Sequence, residues 1–487
     1  MELRNELIFA PAIDRALSSR MQREAKAGRV RRIRPGIFTP VLDVPLETVL
    51  RRNWKTLLEH VLPGAVISYR SSLLGRPDDE GILIVSHGQR GRTLTYPGLK
   101  VEVRPGGRLP GDTPYGRLFV ASETRWLLEC LEAKKGSSSR TEPKEAVEAH
   151  LEKLLRIRGE RALNSLRDTA RTFAAAHGRL AEFRRLDRLL GALLKTQAAA
   201  VLSSKQARAR VAGKPYDPDR LHLFDVLFSA LQQTTLPVVS EVTATLRARD
   251  NFAFFEAYFS NFIEGTTFTV EEADQIIYQG VILPGRAEDT HDILGTYRAA
   301  ITQPWRSQFP KKSEAFLHWL KSVNALVMGK RPDKLPGEWK SQANQAGNTL
   351  FVHPDLVPGT LLEGFDRITG LRDPAARAFM AMFIVSEVHP FTDGNGRTAR
   401  LALNCALTEA GLSRIVVPTI FREDYLLPLK ALSQQSDPKP YIGMMQRLQS
   451  WTASLDYEQT RESLRLQLKQ CNAFEEARDL YRLISPE

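Results

Sequence analysis

The sequence lacks the marks of a secreted, disulfide-bonded or membrane-spanning protein. It has only 3 cysteines in 487 residues, and they lie far apart, at Cys130, Cys405 and Cys471. Such a set provides neither a disulfide framework nor a metal-binding spacing, so we expect reduced thiols. No run reaches the roughly 18 apolar residues that a membrane-spanning helix needs, and no long apolar stretch follows the charged start to indicate a secretory signal. We therefore expect a cytoplasmic protein with no membrane partner.

The overall composition is that of a folded, basic protein with several domains. Hydrophobic residues make up 43% of the chain, well above the range of disordered proteins. Because 487 residues exceed a single typical core, about two to four domains are expected. The net charge of +12 permits contact with nucleic acid or another acidic surface, but does not require it.

One stretch combines a histidine, an acid, a glycine-rich turn and two arginines. It reads His389, Pro390, Phe391, Thr392, Asp393, Gly394, Asn395, Gly396, Arg397, Thr398, Ala399, Arg400. Apolar helical runs lead in and out, so the glycines are expected in a short loop, with the second helix starting near Gly396. Backbone N–H groups at such a helix start suit a phosphate.

The side chains of this stretch add the other parts of a nucleotide site. Asp393 is a candidate ligand for Mg²⁺, which prefers oxygen and keeps several waters when it bridges phosphates. Arg397 and Arg400 lie one helical turn apart, so both are expected to fork onto phosphate oxygens. His389, with an ordinary pKa of roughly 6.5, suits proton removal from a hydroxyl. The pattern predicts nucleotide chemistry with a histidine base; the alternative is a helix–loop–helix turn with a buried histidine.

At every fixed position this stretch resembles the signature of Fic domains. The resemblance implies a helical fold and the transfer of AMP from ATP, with Mg²⁺, to a Ser, Thr or Tyr hydroxyl of a target protein. It also implies roles for single residues: His389 as the base, Asp393 on the metal, and the phosphates over Gly394, Asn395 and Gly396. Arg397 and Arg400 would bind the β- and γ-phosphates. Related folds move UMP, phosphate or phosphocholine, so the nucleotide itself stays open.

A second motif, Ser260, Glu264 and Gly265 on a helix expected over about residues 251–265, matches the autoinhibitory motif of many Fic proteins. A carboxylate placed against Arg400 would neutralise the cation meant for the γ-phosphate and occupy its space. Because the motif precedes the signature in the same chain, the inhibition would be intramolecular. The alternative is a helix-end glutamate followed by a capping glycine.

Two further segments resemble parts of a Fic active site. Residues 337–352 are expected to form a β-hairpin flap that holds a target segment by β-augmentation. Lys340 stands where family members commonly have an arginine. Tyr425 is expected either to stack on the nucleobase or to belong to the core, and Ser433 occupies a position often held by asparagine.

The N-terminal part is expected to contain a basic helix and a hairpin. The helix runs from Ala12 to Ala27 and ends at Gly28. The stretch from Ser18 to Pro40 resembles the winged helix of abortive-infection-type antitoxins, and residues 12–40 are the region expected to contact DNA. The resemblance implies contacts with DNA, in the major groove or along its backbone, from Ser18, Ser19, Arg20, Arg23, Lys26, Arg31, Arg32 and Arg34. The alternative is a solvated hairpin on a protein-interaction module.

The fold class expected for the whole chain is mainly α, a Fic-type core with a flap, preceded by a winged-helix and a small β-rich domain. The expected segments are 1–62 (winged-helix-like), 63–132 (β-rich), 133–144 (linker), 145–220 (helical connection), 221–457 (Fic core) and 458–487 (C-terminal helices). In the last, Leu464 and Leu468 are spaced for a helix that packs on the core or on a second copy in a homodimer.

Three functions remain compatible with the sequence. The first is an autoinhibited protein adenylyltransferase. The second is a DNA-binding transcriptional regulator whose Fic core senses a nucleotide. The third reverses the enzyme, with Glu264 aligning a water that removes AMP from a modified target.

Overall fold

The computed structural model of the chain describes residues 6–11, 13–133, 140–347, 349–476 and 482–486. The chain forms two compact units, residues 1–211 and 212–487. Most elements are helices and a sheet region lies in the first unit, which confirms the expected fold class. The finer division into six segments stays a prediction, and residues 134–139 of the expected linker lie outside the described residues.

The first unit combines two sheets with helices. Its strands are β1 (Ile8–Phe9), β2 (Arg31–Arg34), β3 (Ile37–Thr39), β4 (Val66–Ile67), β5 (Ile82–His87), β6 (Arg92–Tyr96), β7 (Leu99–Pro105), β8 (Thr113–Tyr115) and β9 (Leu118–Val120). Its helices are α1 (Arg15–Lys26), α2 (Leu46–Arg52), α3 (Trp54–Val61), α4 (Arg70–Leu74), α5 (Glu123–Cys130), α6 (Lys144–Ala176), α7 (Leu180–Leu193) and α8 (Lys205–Val211). The strand orders are β1-β3-β2 and β6-β7-β5-β4-β9-β8.

The expected basic helix and hairpin are both present. α1 is followed by Gly28 at φ +71°, and β2 pairs antiparallel with β3. Two arginines expected on DNA are used inside the unit instead: Arg31 donates to the carbonyls of Val41 and Val44, and Arg34 to that of Thr95. DNA contact stays a prediction that now rests on Arg32 and the exposed residues of α1.

The six-stranded sheet contains the expected β-rich segments. β5 pairs parallel with β7, and their inward side chains are fully buried against α2 and α3. The pattern did not indicate β6 or β8, since their residues are largely polar and exposed. A separate helical cluster of leucines joins α5, α6, α7 and α8.

The second unit is helical apart from one hairpin in its described residues. Its helices are α9 (Pro218–Gln233), α10 (Leu246–Ile263), α11 (Val270–Gln279), α12 (Ala287–Ile301), α13 (Ser313–Met328), α14 (Val357–Gly370), α15 (Pro374–Val388), α16 (Asn395–Glu409), α17 (Arg422–Gln435), α18 (Lys439–Ala453) and α19 (Arg461–Gln470). The hairpin, β10 (Gln345–Ala346) with β11 (Thr349–Leu350), lies in the expected flap. Across the described part of the chain, every helix is too short or too polar to cross a bilayer.

The centre of this unit is α15, which is apolar on every face and almost completely buried. Asp373 caps its start by accepting a hydrogen bond from the N–H of Ala376 at 2.9 Å. α15 packs against α9, α14 and α16. His389 follows the last residue of α15, and the glycine-rich loop after it leads directly into α16.

Two details differ from the expectations. The inhibitory helix α10 begins at Leu246 rather than near residue 251, because Thr245 caps it by accepting from the N–H of Ala248. Leu464 and Leu468 are buried in the core of this unit, so they no longer argue for a homodimer. Residues 477–481 of the expected C-terminal helices lie outside the described residues.

Candidate active site

The glycine-rich loop is shaped by the side chain of Asn395. Its amide oxygen accepts from the N–H of Phe391 at 2.8 Å, and its amide nitrogen donates to the Phe391 carbonyl at 2.9 Å. Gly394 has φ +75°, and a Cβ there would lie 2.8 Å from the side chain of Met328. The loop therefore requires both the asparagine and the glycine. It leads directly into α16, whose first backbone N–H groups form a potential anion site.

His389 ends α15 in a left-handed conformation, with φ 51°. Its Nδ1 donates to the Ser386 carbonyl at 3.3 Å, because a carbonyl can only accept. The ring stacks on Phe351 at 3.8 Å with an interplanar angle of 5°. Burial, together with the nearby Lys340 ammonium, lowers the pKa of His389 to about 4. The imidazole is therefore neutral at pH 7, with Nε2 able to accept a proton.

Arg400 is held by both polar residues of the inhibitory motif. Its Nη2 lies 2.6 Å from Glu264 Oε1, its Nε donates to Ser260 Oγ at 2.9 Å, and Nη2 also donates to the Ser260 carbonyl at 3.0 Å. Although burial opposes it, the charge of Arg400 and then that of Arg397 keep the pKa of Glu264 below its ordinary value. The pair is therefore ionised.

Glu264 sits directly over the start of α16. A Cβ on Gly396 would lie 2.1 Å from Glu264 Oε1, so only glycine at this position leaves room for the carboxylate. Gly265 follows in a left-handed conformation, φ +92°, and ends the helix. Glu264 therefore lies at the end of a helix and is followed by a capping glycine, and it also forms an ion pair with Arg400.

Arg397 does not reach the cavity that His389 and Arg400 line. Its Nη1 lies 2.7 Å from Asp292 Oδ2 and donates to Asn261 Oδ1 at 3.1 Å. Arg331 also binds this aspartate, at 2.9 Å. Of the two signature arginines, Arg400 lines the cavity in this conformation, whereas a buried carboxylate of α12 holds Arg397 away from it. Phosphate binding by both arginines stays a prediction.

Asp393 lies at the open side of the loop, with its side chain 41% exposed. Its Oδ1 accepts from the N–H of Gly394 at 2.6 Å. Among the described residues, no group of three or more His, Cys, Asp and Glu side chains is arranged to hold a metal. The exposed carboxylate of Asp393 is the kind of oxygen ligand that Mg²⁺ uses when phosphate oxygens and water supply the others, so metal binding here stays a prediction.

A cavity of about 330 Å³ borders His389, Gly396 and Arg400, whereas Asp393 is not among the residues that line it. Its lining comprises Ile263, Glu264, Ala346, Thr349, Phe351, Ser386, Glu387, His389, Gly396, Arg400, Arg422, Tyr425, Leu426, Leu429, Lys430 and Ser433. α17 runs along the wall of this cavity. Its Tyr425 lies near Arg400, whose guanidinium carbon is 5.8 Å from the centre of the ring, and Leu429 and Ser433 follow one and two turns further along the helix. The flap contributes another side, tied to α17 where Gln434 donates to Thr349 Oγ1 at 2.9 Å.

Tyr425 is only 1% exposed and also lines the cavity, so it belongs to the core, and stacking on a nucleobase stays a prediction. Lys340, another residue left open, is buried: its Nζ donates to Asn344 Oδ1 at 2.6 Å and to the Val388 carbonyl at 3.3 Å. Burial, and then the charge of Arg220, lowers the pKa of Lys340 to about 7. Lys340 therefore ties the start of the flap to the end of α15.

Comparison with known proteins adds to this geometry. Residues 316–407 match the model of the Fic/DOC family. Protein adenylyltransferase fic-1 of Caenorhabditis briggsae is 28% identical over 205 residues, 41% of this chain and 40% of the relative. Protein adenylyltransferase Fic of Drosophila erecta is 28% identical over 254 residues, 50% of this chain and 48% of the relative. The chain thus spans less than half of these curated relatives.

A solved structure of Fic-1 from Caenorhabditis elegans is also similar to the chain. It is 20% identical, with a TM-score of 0.36, and the match covers 70% of this chain and 97% of that one.

Proposed function

On the premise that residues 316–407 are a Fic/DOC family domain, we propose that the chain is a protein adenylyltransferase, which transfers AMP from ATP to a Ser, Thr or Tyr hydroxyl of a target protein. The observation that carries the proposal is the neutral imidazole of His389, which lines the same cavity as Gly396 and Arg400. A base and an anion site thus share one nucleotide-sized space.

The reaction uses these groups in a single displacement. The target hydroxyl gives its proton to His389 Nε2 while its oxygen attacks the α-phosphorus of ATP. The bond between that phosphorus and the oxygen bridging to the β-phosphorus breaks, and pyrophosphate leaves. The first N–H groups of α16 stabilise the phosphate charge, and positioning supplies much of the rate, as in phosphoryl transfer generally.

Magnesium would be held by Asp393 together with phosphate oxygens and water. When bound, it would offset negative charge on the departing pyrophosphate. The exposed carboxylate of Asp393 at the open side of the loop supports this assignment.

The chain is also proposed to inhibit itself. Glu264 occupies the space over Gly396 and neutralises Arg400 at 2.6 Å, which is where a γ-phosphate needs a free cation. Three contacts from one helix end hold the guanidinium, so ATP must displace them to bind productively. Since α10 and α16 belong to one unit, the inhibition needs no second chain.

The target is proposed to dock on the flap, residues 337–352, of which residue 348 lies outside the described residues. β10 and β11 are short and exposed, and Leu350 is 60% exposed. An extended target segment added to this hairpin would bring its hydroxyl towards His389, which Phe351 contacts at the end of β11.

The proposal is tested with the Glu264→Gly protein and ATP labelled at either the α- or the γ-phosphate. We expect the α-label to become attached to protein and the γ-label to leave with pyrophosphate. His389→Ala in the same background should retain neither label. Retention of the γ-label would instead indicate phosphate transfer and would contradict the proposal.

Removal of AMP is a second candidate, favoured by the ionised carboxylate of Glu264 in the same cavity as His389. A carboxylate there can orient a water for attack on an AMP–protein bond. Release of AMP from a pre-modified target by the wild-type chain, lost in Glu264→Gly, would favour this direction over transfer.

A further inference from the structure

The part of the cavity wall near Ser433, two helical turns along α17 from Tyr425, contains two polar side chains. α17 contributes Leu426, Leu429 and Ser433 there, and α15 contributes Glu387. The leucines suit the face of a nucleobase, whereas Glu387 and Ser433 carry hydrogen-bonding groups to its edge. The carboxylate belongs to none of the motifs found in the sequence, so its presence in the wall needs an explanation.

Glu387 is buried, with its side chain 5% exposed, and is held by one ion pair and one hydrogen bond. Arg220 of α9 places Nη1 2.8 Å from Oε1, and the Ser433 hydroxyl donates to the same oxygen at 3.0 Å. Arg220 also donates to the Leu350 carbonyl in β11. The carboxylate is therefore fixed in position, and its orientation is coupled to the flap.

Among the described residues, both of these contacts fall on Oε1, which leaves Oε2 to accept from a ligand. The hydroxyl of Ser433 donates its only hydrogen to Glu387, so towards the cavity its oxygen, like Glu387 Oε2, can only accept a hydrogen bond. This corner of the wall thus calls for a hydrogen-bond donor on the base. A buried acceptor facing another acceptor would be penalised.

The available Oε2 can accept one hydrogen of an amino group, and Ser433 Oγ can accept the other. Adenine presents a single amino donor at position 6 beside the acceptor N1. Guanine instead presents two neighbouring donors, N1–H and the 2-amino group, which a carboxylate binds best with both oxygens. Because Oε1 is committed to Arg220 and Ser433, the arrangement fits adenine.

We propose that Glu387 is the specificity-determining residue of the nucleotide site, accepting a hydrogen bond from the 6-amino group of an adenine base. This inference rests on the proposed function, since it assigns the base end of the same cavity. Arg220 and Ser433 are positioning residues that turn Oε2 towards the base.

The substitution Glu387→Gln gives a sharp test, because Arg220 and the Ser433 hydroxyl both need an acceptor. They would hold the carbonyl oxygen of the new amide, so its NH₂ group would face the base. An N–H donor of the glutamine would then replace the Oε2 acceptor of Glu387. The variant should favour inosine triphosphate, which carries an oxygen at position 6.

Binding of ATP and inosine triphosphate is measured by titration calorimetry, with Mg²⁺, in the Glu264→Gly protein with and without Glu387→Gln. The parent should bind ATP roughly ten- to hundredfold more tightly, the range expected for a hydrogen bond to a charged group. The double variant should lose or reverse this preference. Glu363→Gln, which changes a glutamate paired with Arg367 on α14, should leave it unchanged.

Equal weakening of both nucleotides by Glu387→Gln would show a structural role and overturn the inference. So would a parent protein that binds the two equally, a result that requires no variant to fold. Because the readout is binding, it is separate from AMP transfer: an ATP preference without transfer would refute the proposed function and leave the base recognition standing.

Discussion

The surroundings of two titratable residues in the site favour the neutral form of one, His389, and the ionised form of the other, Glu264. His389 loses water to burial and lies near the Lys340 ammonium, so its neutral form is favoured. Glu264 is also desolvated, but the guanidinium of Arg400 at 2.6 Å keeps it ionised. The base is thus neutral at pH 7 while Arg400, the cation proposed to bind phosphate, is paired with Glu264. The proposed inhibition would therefore act on the substrate site and leave the base intact.

The protonation of His389 is a direct prediction. Its ring should titrate near pH 4 in the folded protein rather than at its ordinary 6.5. Since the unfolded chain takes up this proton first, the residue's contribution to stability is lost as pH falls from 6.5 to about 4. NMR of the imidazole between those values, assigned by comparison with His389→Ala, measures the titration.

Phe351→Ala provides the control for that measurement. The phenyl ring lies parallel to the imidazole at 3.8 Å and shields one face from water. Its removal should raise the pKa of His389 towards the ordinary value. A wild-type ring that titrates near 6.5 would contradict the role of burial.

At the scale of elements, α10, α12 and α13 contact Arg397 of α16 outside the cavity. This guanidinium is 3% exposed and shares Asp292 with Arg331. Burial raises the pKa of Asp292, while the charges of Arg397 and Arg331 oppose the rise. The start of α16 is therefore fixed from below by an ion-pair network that does not touch the cavity.

Breaking that network should be costly. Asp292→Ala would leave Arg397 with only the longer pairing to Asp393, at 3.8 Å, and we expect a loss of about 3–5 kcal/mol in the free energy of unfolding. Urea unfolding measures it. Glu288→Gln is the matched control, because that residue binds the same Arg331 but is 57% exposed. We expect the control to cost under about 1 kcal/mol, and equal losses from the two would count against the network.

Site features within one stretch of sequence could be predicted, whereas those that depend on how helices pack could not. Residues 389–400 are contiguous, so their loop geometry could be predicted from helical runs and glycines alone. The inhibitory pair joins Glu264 to Arg400 across 136 positions, and a motif revealed it. Asp292 and Glu387 carry no local signal, because their roles depend on how helices pack. The burial of Arg397 was missed for that reason.

At the scale of the whole molecule, every residue assigned to the site belongs to the unit formed by residues 212–487. That unit has its own aromatic-rich core, built from α10, α11, α12, α18 and α19. The residues proposed to inhibit the site lie in the same unit. Regulation by Glu264 should therefore not depend on the first 211 residues.

A fragment of residues 212–487 tests this independence. It should unfold in one cooperative thermal transition, and Glu264→Gly should raise its AMP transfer as much as in the full chain. Circular dichroism and a labelling assay measure the two. Cooperative folding with no response to Glu264→Gly would place part of the inhibition in the first unit.

Glu264 holds Arg400 at 2.6 Å, and we propose that it thereby blocks AMP transfer through His389. The most direct measurement is the intact mass of the wild-type and Glu264→Gly proteins after incubation with ATP and Mg²⁺. We predict that the variant gains the mass of AMP groups on its own hydroxyls, and the wild type does not. Identical masses for the two proteins, modified or unmodified, would contradict the account.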